Sequence, residues 1–279
     1  MAFSVYLFCR TYIIFFDMIS TSNDLHHSKG SVHHLDHILN EDAAIYFEHV
    51  SYKRDNNTIL SHINGMFPKG KITALVGPSG AGKTSLLKLC NGLKSPTSGN
   101  IYINNKNINS YDPPSLRRYA GIALQQATMI DGTVRKNLAL PLTLQNKSLT
   151  ENEAKELLKL VGLDTDMLSR HVNDLSGGQK QKLSIARTLV NRPHILLLDE
   201  ITSSLDPISV EEIEKLIYTI NKKYRTTIIW ITHDINQARQ MGDYVWVMMQ
   251  GQLIESGSIS LLDHPKTDKV AQFLKGRSS

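Results

Sequence analysis

The sequence predicts an α/β fold with a parallel sheet whose ligand edge lies at the C-terminal ends of its strands. Three stretches carry that expectation. The first is the apolar run Lys71-Ile72-Thr73-Ala74-Leu75-Val76, followed by Gly77-Pro78-Ser79-Gly80-Ala81-Gly82-Lys83-Thr84 and the helical pattern Ser85–Cys90, which ends at Asn91-Gly92. Strand, glycine loop and helix in that order are the context in which G-x-x-x-x-G-K-T, the Walker A pattern, holds phosphates. The second is Ile195-Leu196-Leu197-Leu198, four aliphatics ending in Asp199-Glu200. A continuous apolar run marks a parallel strand buried on both faces, and carboxylates at its end fall where such sheets bind ligands. The third is Thr226–Thr232, another apolar run, with His233-Asp234 at its end.

In the glycine loop, backbone N–H groups turn inward around a phosphate chain, and the positive end of the next helix points at the same charge. Gly77, Pro78, Ser79, Gly80, Ala81, Gly82, Lys83, Thr84 and Ser85 form the expected nucleotide-binding set. Lys83 is expected to reach the β- and γ-phosphates, and the Thr84 hydroxyl to ligate Mg²⁺. A glycine-rich turn can also merely join a strand to a helix, but the flanks on both sides favour the phosphate cradle. Asp199 reads as a further Mg²⁺ ligand through water, and Glu200 as the general base for an attacking water.

The chain has 279 residues and 41% hydrophobic content, enough for one large α/β domain with an ordinary core. A net charge of +5 suits work near an anionic membrane face and does not by itself indicate nucleic acid. The two cysteines, Cys9 and Cys90, make no disulfide framework or cysteine zinc site, which fits a reducing compartment. Cys90 falls on the apolar face of the helix after the glycine loop and reads as core.

Residues 1–19 are apolar and aromatic, but Arg10 and Asp17 break the run, and a membrane span wants about 20 mostly apolar residues. A basic n-region and a small-residue cleavage site, the marks of a signal peptide, are absent from this stretch. The expectation is a start at Met18, or a loosely held tail. Residues 20–42 hold five of the eleven histidines (His26, His27, His33, His34 and His37). A histidine-rich tract can bind metal, and a solvated tail is the reading taken.

From Ala44 the pattern is folded. Ile45–Tyr52 alternates like a strand, Asp55-Asn56-Asn57 turns, and Ile59–Phe67 reads as a second strand. The ring of Tyr52, near the end of the first strand, can stack on a base or merely pack on the second. Ser95–Gly99 is a turn, and Ile101–Ile103 with Lys106–Ile108 reads as a hairpin. Residues 115–124 lead through Arg117-Arg118 into the short strand Gly121–Leu124, closed by Gln125-Gln126. Residues 127–190 are helical with polar turns. Within them, Ala154, Leu157, Leu158 and Val161 share one face. Leu175-Ser176-Gly177-Gly178-Gln179 then opens a helix that Pro193 breaks. Residues 209–223 read as an amphipathic helix. Tyr244–Met249 and Gln252–Ile254 read as a closing hairpin around Gly251, and the chain from Asp263 as a short tail, helical or frayed.

This order of motifs resembles the ATPase subunits of ABC transporters over nearly all of residues 44–260. The resemblance implies a P-loop NTPase (RecA-like) core with an antiparallel β subdomain and an inserted α-helical subdomain. It implies an ATPase domain over 43–262, a helical insert over about 127–190, and tails at 1–42 and 263–279. By the same resemblance Tyr52 stacks on adenine. Gln125 senses Mg²⁺ and the attacking water, and couples to the membrane subunit. Leu175, Ser176, Gly177, Gly178 and Gln179 bind the ATP of the other subunit in trans. Ser203-Ser204-Leu205-Asp206 crosses the dimer interface, and His233 contacts the γ-phosphate. The implied cofactors are ATP and Mg²⁺, with Thr84, Gln125 and Asp199 at the metal. The implied partners are a homodimer of ATPase subunits and an integral membrane permease, with no nucleic acid. The implied place is the cytoplasmic face of the cell membrane, held peripherally. The permease is expected in the cleft between Gln125 and the insert, around Ala127–Leu140.

Two positions depart from the family pattern. Ile201 stands where proline is common after the catalytic Glu, and Ser204 replaces a common Ala. The string Glu200-Ile201-Thr202-Ser203, with Thr128–Val134 and Asn137-Leu138, is similar to ATPases paired with iron or metal exporters. Phosphate and polar amino-acid importers share much of this region. ABC ATPases that serve DNA split the head with long coiled coil, whereas 91 residues without sustained heptads lie between Lys83 and Leu175. The ribosome-acting type carries two cassettes, and this chain carries one. A non-catalytic regulatory cassette is a third alternative, opposed by the presence of Lys83, Asp199, Glu200 and His233 together.

Overall fold

The computed structural model describes residues 42–276. The expectations for the N-terminal tail, its histidines and a start at Met18 lie outside the described residues. Ten strands and eight α-helices are formed among the described residues. The strands are β1 (Ala43–Arg54), β2 (Asn57–Pro68), β3 (Ile72–Val76), β4 (Ser98–Ile103), β5 (Lys106–Asn107), β6 (Ala120–Ala123), β7 (Ile195–Asp199), β8 (Thr227–Ile231), β9 (Tyr244–Met249) and β10 (Gln252–Ser258). The helices are α1 (Lys83–Cys90), α2 (Pro113–Tyr119), α3 (Val134–Thr143), α4 (Glu151–Leu160), α5 (Gly177–Leu189), α6 (Pro207–Tyr224), α7 (Ile235–Met241) and α8 (Asp268–Lys275).

The strands make two sheets. One is antiparallel, in the order β2-β1-β4-β5. The other runs β10-β9-β3-β8-β7-β6, parallel from β9 to β6, with β10 antiparallel at its edge. β3, β7 and β8 are buried along their whole length, as their unbroken apolar runs require.

Between the sheets Phe47, Phe67 and Trp246 pack with centroids 4.3 to 5.5 Å apart. The Trp246 indole N–H donates to the Met66 carbonyl. Each such side chain contributes about 1.5–3 kcal/mol when removed from water. On the other face of the parallel sheet, Leu196, Leu198, Ile228 and Trp230 pack with α6 and with the α3–α5 region, through Leu138, Leu158, Leu183 and Ile217. A third cluster joins Val76, Val245 and Val247 to α7 and α8 through Ala238, Val270 and Leu274.

The structure differs from the sequence reading in three places. Residues 113–119 form a helix, capped by Asp112, whose carboxylate accepts the Ser115 N–H. β10 runs on to Ser258, four residues past the expected end of the hairpin. The tail expected from Asp263, helical or frayed, forms α8, and its buried Val270 and Leu274 pack it on the parallel sheet rather than leave it frayed. No helix among the described residues is long and apolar enough to cross a membrane.

Candidate nucleotide site

The parallel register brings the site together. Asp199 pairs with Ile231 across β7 and β8, so Glu200 and His233 emerge from adjacent strand ends on one edge. β3 lies on the other side of β8 and delivers Gly77–Thr84 to the same edge. Gly77 has φ +148°, and a Cβ there would lie 2.0 Å from the Met248 carbonyl oxygen. That approach of the loop to β9 excludes any side chain.

Lys83 is buried, and its ammonium donates to the carbonyls of Gly77 and Pro78 at 2.9 Å each. Thr84 Oγ1 donates to Asp199 Oδ1 at 2.9 Å. Burial pushes the Asp199 carboxyl above its usual range, and Glu200 beside it adds to that. The Thr84 hydroxyl, Lys88 and Lys83 oppose the rise. A buried carboxylate in that condition, next to a hydroxyl, is a hard oxygen pair suited to a divalent cation.

His233 Nε2 lies 2.5 Å from Glu200 Oε1. The Glu200 N–H donates to the Ile231 carbonyl, and its own carbonyl accepts from the Ser203 N–H and hydroxyl. The Gln125 amide donates to Ser203 Oγ at 3.0 Å, so Gln125 is directed at the 203–206 turn, and no hydrogen bond links it to the Thr84–Asp199 pair. Ile201, in place of the usual proline, is buried in the core beneath the sheet.

Leu175 is buried, and Ser176 caps α5. Ser176 Oγ accepts the Gln179 N–H, and Gln179 Oε1 accepts the Ser176 N–H, closing a capping box. Gly177 is exposed at the helix start, whereas a Cβ on Gly178 would meet Ser209 Oγ at 2.5 Å. The starts of α5 and α6 are therefore packed together, and Lys182 with Glu212, 2.8 Å apart, joins them one turn further on.

Tyr52 is half-buried against the core between the sheets, with the Lys94 ammonium 4.5 Å over its ring. Cys90 donates to the Leu86 carbonyl, and burial pushes its thiol up, so it is core.

Three groups lie outside the sequence motifs. Gln237 accepts from Thr232 and Thr202 and donates to Glu214, tying the β8 end to α6. Asn137 and Arg187 bind the backbone of Ile130 and Thr128, fixing the loop after Gln125 to α5. Lys94 is the third. Asn137 stood in the sequence only within the string shared with exporter ATPases; the others needed the fold.

A parallel sheet with a glycine loop, a hydroxyl–carboxylate pair and a Glu–His pair on one edge defines a P-loop nucleotide hydrolase. Residues 60–203 match the family model described as ABC transporter. The chain is 43% identical over 238 residues to the ABC transporter ATP-binding protein YjkB of Bacillus subtilis (strain 168), covering 84% of this chain and 94% of that one. It is 39% identical over 225 residues to the methionine import ATP-binding protein MetN 1 of Yersinia pestis, covering 78% of this chain but 65% of that longer one. Among solved structures, cbiO1 from Clostridium perfringens, part of the transporter complex cbiONQ, is 31% identical. It has a TM-score of 0.72 over 85% of this chain and 96% of that one. The dimeric cassette MJ0796 with bound ADP and Pi is 32% identical. It has a TM-score of 0.69 over 77% of this chain and 98% of that one. The chain belongs to the ATP-binding subunits of ABC transporters, and it binds and hydrolyses ATP.

Proposed function

We propose that this ATPase works as a head-to-tail homodimer that powers transport through a separate membrane permease, from the cytoplasmic face of the membrane. The dimeric MJ0796 cassette and the placing of cbiO1 within a transporter complex support both partners. The exposed loop after Gln125, fixed to α5 through Asn137 and Arg187, supports the stretch Ala127–Leu140 as the permease surface.

The observation that carries the catalytic reading is the Glu200–His233 pair at 2.5 Å, one residue beyond the Thr84–Asp199 pair. Glu200 accepts the proton of the attacking water, and His233 holds Glu200 and the γ-phosphate. The N–H groups of Gly77–Ser85 and the Lys83 ammonium bind the phosphates, and Tyr52 takes the adenine. Thr84 and Asp199 would hold Mg²⁺, which would neutralise charge on the β- and γ-phosphates, and Gln125 would join them on turning from Ser203. The Leu175–Gln179 turn offers backbone N–H groups to the partner's ATP.

Glu200→Gln tests this. It keeps the side-chain volume and a polar link to His233 but cannot accept the water's proton. Hydrolysis should fall about 10²–10⁴-fold with ATP binding retained, and hydrolysis at the parent rate would remove Glu200 from that role.

For cargo, the string Glu200–Ser203 supports metal export, whereas the likeness to MetN supports amino-acid import. We favour export. Cells lacking the chain should accumulate iron or another metal, and a loss of methionine uptake in its place would favour import.

A further inference from the structure

Lys94 joins Tyr52 to the helix that follows the glycine loop. Its ammonium lies 4.5 Å from the centroid of the Tyr52 ring and donates to Ser85 Oγ, in the first turn of α1, at 3.4 Å. Its own N–H donates to the Lys88 carbonyl at 3.0 Å, hooking the chain back onto α1. Three residues on, Thr97 is bonded to the strand on both sides of Tyr52. The Thr97 N–H donates to the Ser51 carbonyl at 2.8 Å, and Thr97 Oγ1 accepts the Lys53 N–H at 2.9 Å. Segment 94–97 therefore closes a frame around one tyrosine. The frame fixes the backbone of β1 through Thr97 and the ring through Lys94.

We propose that Lys94 is a positioning residue for the nucleotide base. It holds the Tyr52 ring against the first turn of α1, so that the ring plane and the phosphate cradle keep a fixed separation. One ring face takes the ammonium, and the opposite face takes the planar base of a purine nucleoside triphosphate. The cation acts through Tyr52 and touches neither base nor phosphate. This rests on Tyr52 being the base platform and Gly77–Ser85 the phosphate cradle. A ligand with phosphates but no base gains less from the frame than ATP does, which gives the inference its signature.

The test is equilibrium binding of ATP and of inorganic triphosphate to the full chain carrying Lys94→Met, Tyr52→Ala, both, or Lys94→Arg. Lys94→Met should weaken ATP binding about threefold to fivefold, the size of an exposed cation–π contact, and weaken triphosphate binding by less, since its side-chain link to the cradle is the long Ser85 contact. Combined with Tyr52→Ala it should add no further loss, because the two residues act as one unit. Lys94→Arg, which also stacks on aromatic faces, should restore ATP binding. An equal loss for triphosphate, a tightening of ATP binding, or an additive loss in the double variant would overturn the proposal. Normal ATP binding by Lys94→Met beside impaired binding by Tyr52→Ala would overturn it alone. Normal binding by Tyr52→Ala would overturn the base-platform reading and this inference with it.

Discussion

Glu200 has φ +50°, a left-handed backbone in a non-glycine residue, which costs on the order of 1 kcal/mol. The Ile231 carbonyl, the Ser203 N–H and hydroxyl, and His233 hold it there, and strain so enforced is characteristic of working sites. Thr73 shows the opposite economy. Its hydroxyl is buried in β3 with no hydrogen-bond partner among the described residues. An unpaired buried hydroxyl costs roughly 1–3 kcal/mol, and valine has nearly its shape. Thr73→Val should therefore stabilise the chain by about 1 kcal/mol, read as a higher urea midpoint with unchanged slope. A lower midpoint would mean that the hydroxyl is satisfied. Both features depend on neighbours distant in sequence, so a chain pattern that shows a β-strand threonine and a strand-end Glu shows neither.

Elements defined by local chemistry were legible, and those defined by a distant partner were not. The apolar runs of β3, β7 and β8 and the face of α4 are written in their own residues. The capping boxes Thr150–Glu153 and Ser176–Gln179 are equally local, but the structure and not the sequence reading brought them out. The spacing of Val270, Phe273 and Leu274 also marks a helix face, but a short helix after Pro265 is marginal alone. Besides Val270 and Leu274, Glu255 on β10 holds the start of α8. The Glu255 carboxylate accepts the N–H groups of Lys266 and Thr267 and the Thr267 hydroxyl. Burial pushes the Glu255 carboxyl up, and those bonds outweigh it, holding it below the usual range. Because the folded value is depressed, the contribution is complete above the ordinary glutamate range of about 4.3 and is lost as pH falls through the folded value. α8 should lose amide-exchange protection below that range while β3 and β8 keep theirs, and Glu255→Ala should show the same loss at neutral pH. Unchanged α8 protection in the variant would show that Val270 and Leu274 suffice.

At the scale of the whole molecule, the motifs that meet at the edge of the parallel sheet were legible, because each is contiguous. The pairings between motifs were not: Gln125 with Ser203, Lys94 with Tyr52 and Lys182 with Glu212 each join distant stretches. The Lys182–Glu212 pair and the packing of Gly178 on Ser209 lock the starts of α5 and α6 together, with Ser176 and Gly177 exposed. In the proposed head-to-tail dimer this surface would meet the ATP of a partner chain. Size-exclusion with light scattering measures this most directly. The Glu200→Gln chain, unable to clear ATP, should be dimeric with Mg-ATP and monomeric without it. Adding Ser176→Arg should keep it monomeric in Mg-ATP by bulk, with ATP binding by the monomer nearly intact. Dimerisation of the double variant as strong as that of the single one would contradict the head-to-tail sandwich.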